Sequence, residues 1–136
     1  MSEENDSFLA LAQRAVEAGL AWAREREVRM TFVVMDVTGT VCAAARMDGS
    51  RTITYDIAVA KANTALAFQA PTAELAGRVK PENKIAIAQL APRIAFLGGG
   101  VPIVRDGAIV GSIGASGGTE DQDVQCAAAC LAAVPG

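Results

Sequence analysis

Histidine is missing from all 136 residues. Its absence removes the usual general base near neutral pH, the usual partner of a serine or cysteine nucleophile, and the commonest metal ligand. Cysteine is sparse and odd in number, at three, which excludes a pure disulfide framework and points to a reducing, cytoplasmic setting. No apolar run approaches the roughly 20 residues that a membrane span needs. The opening residues, Met1-Ser2-Glu3-Glu4-Asn5-Asp6, are polar and acidic, unlike a signal peptide. A net charge of −3 leaves no basic stripe for non-specific nucleic-acid binding. Aromatic residues are few: four Phe, one Tyr and one Trp.

Apolar residues make up 51% of the chain, which fits a folded globule of one domain over 1–136. Much of that fraction is alanine. Alanine-rich helices pack closely but bury little area each, and the apolar surface left over predicts self-association.

The stretch 98–123 organises the rest. Two apolar runs flank Asp106-Gly107, the signature of a two-residue hairpin whose central positions need φ > 0. Gly98-Gly99-Gly100 precedes the first run, and Gly114-Ala115-Ser116-Gly117-Gly118 ends the second. Thr119 and Gln122 then have capping-box spacing and open a helix over about 119–133. Glycines at both ends of the hairpin leave backbone where a small molecule can approach closely.

Upstream, residues 7–27 show apolar residues at three and four and read as a helix capped by Asp6 or Ser7. Trp22 is read as core. Residues 30–36 and 41–47 read as a hairpin, with Asp36 making an Asx-type turn. A helix over 52–68 puts Lys61 on one stripe with Ile57, Ala65 and Phe68. Two readings of Lys61 stand side by side. Its stem lies on the core edge with the ammonium in water, or the cation enters a pocket, paired to a ligand carboxylate or an aspartate. Residues 71–97 form a helical connector with Pro81 at a first helical position, ending in a brief strand at Arg93-Ile94-Ala95-Phe96-Leu97. The order α-β-β-α-(α)-β-β-α predicts an α+β fold: a mainly antiparallel sheet of hairpins with helices packed on it.

The final helix begins with Glu120, Asp121 and Asp123, which complement its dipole and repel a phosphate. Cys126 and Cys130 share a face and read as small buried hydrophobes. With Cys42 as the only other thiol, no metal site is expected. Asp36, Asp48, Asp121 and Asp123 all fall at element ends, where carboxylates can do proton-transfer work.

Several segments resemble the GlcG/HbpS-like family, which includes the C-terminal domain of PduO-type proteins. They are Arg46-Met47-Asp48-Gly49, Asp56-Ile57-Ala58-Val59-Ala60-Lys61-Ala62, Pro71-Thr72-Ala73-Glu74-Leu75, Gly99-Gly100-Val101-Pro102-Ile103, and Gly111 to Gly117 with Asp121 to Asp123. The resemblance runs from about 8 to 133. It implies a small α+β domain that assembles into dimers or larger oligomers such as octamers, and some members bind heme or a corrinoid-related ligand. Heme binding in the family uses a histidine ligand, and this chain has none, so no cofactor is expected; heme held by a cysteine or lysine is the alternative that the resemblance leaves open.

Three functional readings follow. In the first, a homo-oligomer binds a small anionic or carbonyl organic ligand through Arg46, Asp48, Lys61, Gly99, Gly100, Ser116 and Gly117. In the second, the same pocket belongs to an isomerase, tautomerase or lyase, with Asp121 or Asp123 as base and Lys61 or the glycine amides as oxyanion stabiliser. In the third, the chain is a structural subunit without a ligand.

Overall fold

The structure, a computed structural model, describes residues 7–135. Asp6, the rest of the acidic opening and Gly136 lie outside the described residues. The elements run α1 (Phe8–Glu25), β1 (Thr31–Asp36), β2 (Val41–Arg46), α2 (Ile53–Phe68), α3 (Thr72–Arg78), α4 (Pro81–Leu90), β3 (Gly100–Arg105), β4 (Ala108–Ser116) and α5 (Glu120–Ala132). The four strands form one antiparallel sheet in the order β2-β1-β4-β3. The α+β architecture is therefore as the hairpin pattern predicts.

Both hairpins close as their turn residues dictate. Asp106 and Gly107 take φ of 52° and 79°, the pair of positive values that a twisted two-residue hairpin needs. At the other turn, Asp36 Oδ1 accepts the Thr38 amide at 2.9 Å and the Thr40 amide at 3.4 Å, an Asx turn.

Strand alternation divides two helical layers. Phe32 and Val34 of β1 and Ile113 and Ala115 of β4 join α1 and α5 in the main core. Cys126 and Cys130 are fully buried there, as small hydrophobes. Val33 and Met35 face the other way and pack on Ala58 and Ala62 of α2. Here the sheet is partly polar. Thr31 bonds Thr54 at 2.7 Å, and Ser112 donates to the Ala62 carbonyl at 2.7 Å. The helix lies so close that a Cβ at Gly114 would strike the Ala58 carbonyl, and one at Gly100 the Lys61 carbonyl. The small residues of α2 and these two glycines are one device: they let helix backbone rest on strand backbone.

Ser7 caps α1 by accepting the Ala10 amide at 3.0 Å. Trp22 is half-buried against the main core rather than inside it, with the Arg26 guanidinium 4.5 Å from its ring centre. The expected strand at Arg93–Leu97 does not form; 91–99 is irregular. Its polar groups are taken by α2 side chains instead: Asn63 Nδ2 donates to the Arg93 carbonyl at 2.8 Å, and the Ala95 amide donates to Thr64 Oγ1 at 2.8 Å. Those two bonds hold the segment against α2 rather than along the sheet. Helix α4 buries none of its residues.

Candidate functional site

Lys61 is carried by α2 across the end of β4. Its residue exposure is 2%, so the reading with an ammonium in water is overturned. Nζ donates to Asp123 Oδ2 at 2.8 Å and to the Ala115 carbonyl at 3.0 Å. Asp123 sits in the first turn of α5, and its other oxygen accepts the Gly118 amide at 3.0 Å. Gly99, at φ +126°, closes over the pair; a Cβ there would fall 3.0 Å from Nζ and 2.6 Å from the Ala115 oxygen. Burial raises the Asp123 carboxyl above its ordinary value, against the Lys61 contact and the Gly118 amide, which lower it. The capping box of α5 is complete, with Thr119 and Gln122 bonding each other's backbone. The turn 115–118 is thus clamped from both sides.

Two grooves open on the same end of the molecule. One, of about 780 Å³, is lined by Leu20, Arg24, Arg46, Met47 and Asp48 among others. The second, of about 750 Å³, runs between Arg29, Arg51, Thr54 and the turn Ser116-Gly117-Gly118. They share Glu27, Val28 and Arg29 as a common wall. Arg24, Arg29, Arg46 and Arg51 take part in no ion pair among the described residues. Arg46 Nη1 donates to the Ser50 carbonyl at 2.9 Å. The Arg29 guanidinium lies where a side chain on residue 49 would be, and Gly49 takes φ +85°, a backbone conformation that favours glycine. Ser116 is 5% exposed and lines the second groove; its hydroxyl bonds nothing among the described residues, and because no buried side-chain oxygen there is unpaired, it is the hydroxyl that reaches the groove.

The predicted site residues therefore separate. Lys61, Asp123, Gly99 and Gly100 meet in a packed junction, and Lys61 lines neither groove. Ser116 and Gly117 face the second groove, while Arg46 and Asp48 face the first. Asp121 is exposed and accepts from Gln125 Nε2 at 2.9 Å. The sequence reading passed over Arg24, Arg29 and Arg51. A signal for them existed: the β1–β2 register sets Arg46 opposite Thr31, which brings the segments before β1 and after β2 side by side.

Donors for a metal or an iron cofactor are scarce. Cys126 and Cys130 are buried between α1 and α5, and the Cys126 thiol is raised first by its hydrogen bond with Cys130 and then by burial. The Cys42 thiol is raised by burial and by Asp36, to which it donates at 3.5 Å. The Met47 sulfur accepts the Met30 amide at 3.4 Å. No group of three or more His, Cys, Asp or Glu suited to a metal ion occurs among the described residues. Nor is any described helix long and apolar enough to cross a membrane.

Residues 9–132 match the family model described as haem degrading protein HbpS-like, and the chain belongs to that family. It is 36% identical over 117 residues to an uncharacterized 15.0 kDa protein of the dhaT-dhaS intergenic region of Citrobacter freundii, covering 85% of this chain and 82% of that one. Among solved structures it is similar to the PduOC:heme complex, with a TM-score of 0.87, 29% identity and 94% of each chain covered. HbpS matches with a TM-score of 0.85 and 32% identity, over 96% of this chain and 91% of that one.

Proposed function

We propose that this chain is a small-molecule-binding protein that works as a homo-oligomer and holds an organic anion in the groove beneath Ser116. The observation that carries the reading is the Ser116 hydroxyl. It makes no hydrogen bond among the described residues and, since no buried side-chain oxygen is left unpaired there, it opens to a groove bordered by Arg29 and Arg51, neither of them ion-paired. A hydroxyl that faces open space and is bonded to nothing in the protein is free to bond a ligand oxygen in place of solvent. A carboxylate seated there would take the serine hydrogen bond and charge-assisted bonds from the two guanidiniums. Lys61 and Asp123 are positioning residues in this reading: they fix the turn that presents Ser116 and Gly117.

The heme complex of PduOC supports ligand binding on this scaffold. The donors of this chain do not suit an imidazole-held heme, because it contains no histidine and its three thiols are buried or bonded to Asp36. Acid–base catalysis by Lys61 and Asp123 has less support than binding, since each is already bonded within the protein and Lys61 reaches neither groove. Self-association is supported by α4, which buries nothing and leaves Ile85 and Leu90 63% and 85% exposed.

Calorimetric titration with octanoate tests the site. Saturable binding that falls at least about tenfold in Arg29→Ala/Arg51→Ala is expected, one charged contact being worth about that factor. No binding to the unaltered protein, or unchanged binding in the variant, would sink the reading. Hemin titration is expected to show no saturable shift of the Soret band. Light scattering that returns the mass of one chain would remove the oligomer.

A further inference from the structure

The two grooves are one continuous surface because Glu27, Val28 and Arg29 line both. Four guanidiniums border it, Arg24 and Arg46 on one side, Arg51 on the other, and Arg29 between. Against them stand two carboxylates, Glu27 and Asp48. Two positive charges are left over, in a protein whose net charge is −3. Between the charged ends the wall is apolar: Leu20 and Met47 in the first groove, Val28 at the junction.

We infer that the ligand is an organic dianion, an apolar body with a carboxylate at each end, spanning both grooves. This rests on the anion site at Ser116 and adds a second anchor to it. One carboxylate sits with Ser116, Arg29 and Arg51; the other reaches Arg24 and Arg46; the body lies on Val28, Leu20 and Met47. A monocarboxylate fills only half of this surface and leaves the second pair of guanidiniums facing water. The Arg46 guanidinium already has one N–H on the Ser50 carbonyl, which holds its planar fork over the groove and lowers the ordering cost of the contact.

The test is calorimetry with the full chain at low salt. Adipate, suberate and sebacate are compared with hexanoate, octanoate and decanoate. The best diacid should bind at least about tenfold more tightly than the monoacid of equal length, the worth of one further charged contact. Affinity should peak at one length, where the ends match the two arginine pairs. Arg46→Ala and Arg24→Ala should each erase most of the diacid advantage, and Arg46→Lys should not restore it, because an ammonium lacks the fork. Circular dichroism and thermal unfolding confirm that the variants fold. Diacids binding no better than monoacids would overturn the dianion and leave the Ser116 site standing. A diacid advantage that survives both variants would overturn the second anchor. Failure of every acid to bind would remove both.

Discussion

Charge is handled in opposite ways on either side of the turn Ala115–Gly118. At the junction of α2, β4 and α5, a lysine and an aspartate are buried and every polar partner is supplied by the protein: the Ala115 carbonyl, the Gly118 amide and each other. Around the two grooves, four arginines stand without ion pairs. A charge that the fold satisfies internally is spent on geometry. A charge left unsatisfied beside open space is available to something else. The turn Ala115–Gly118 joins the two, being held by the first and presented to the second.

The sharpest way to break the contrast is to remove one member of the buried pair. Lys61→Ala or Asp123→Ala leaves an uncompensated buried charge and should cost about 3–5 kcal/mol in urea unfolding. Lys61→Met/Asp123→Leu, which removes both charges while adding some volume at 123, should recover a large part of that loss. Arg29→Ala/Arg51→Ala should change stability by no more than about 0.5 kcal/mol per site, as exposed positions do, while weakening carboxylate binding. If the arginine variant unfolded as readily as the lysine variant, both regions would be architecture.

A smaller effect is expected where α2 meets the sheet. Gly114→Ala puts a methyl group against the Ala58 carbonyl. Overpacking of this kind costs about 1–3 kcal/mol, and the helix that carries Lys61 must shift to relieve it. Thermal unfolding measures the loss. Thr119→Ala, which removes the N-cap of α5, should cost about 1 kcal/mol.

The architecture was readable from local chemistry because its signals are local. Asp106-Gly107, the Asx turn at Asp36 and the Thr119–Gln122 box each depend on residues no more than four apart, and each formed as read. Lys61 was harder. Its helical stripe showed apolar neighbours, yet its partner is 62 positions away, and nothing in the stripe says which aspartate arrives there. Arg93–Leu97 resembles a strand by composition, but Asn63 and Thr64 of α2 take its backbone groups, a contact between segments about thirty positions apart. The arginine-lined end was least legible. Its members are scattered over 24–51 and converge only through the β1–β2 register.

The smallest predicted effect sets the half-buried Asp36 beside the buried Asp123. The Thr38 hydroxyl, more than any other contact, lowers the Asp36 carboxyl below its ordinary value; burial, the next largest influence, opposes it, and the Thr38 and Thr40 amides add to the lowering. Burial does the reverse to Asp123. For Asp36 the folded state binds its proton less readily than the unfolded chain does. Its contribution is therefore present above the unfolded pKa of about 3.9 and lost as pH falls through the lower folded value. Asp36→Asn should accordingly unfold more easily than the unaltered protein at pH 6, with the difference in midpoint shrinking as the pH is taken below 4. The Asx turn accepts its amides through either side chain, so the remaining difference at low pH measures the turn alone. A difference that grew on acidification would mean that Asp36 is held above its ordinary value, as Asp123 is, and that the distinction between a half-buried carboxylate bonded by its turn and a buried one bonded by its lysine is drawn in the wrong place.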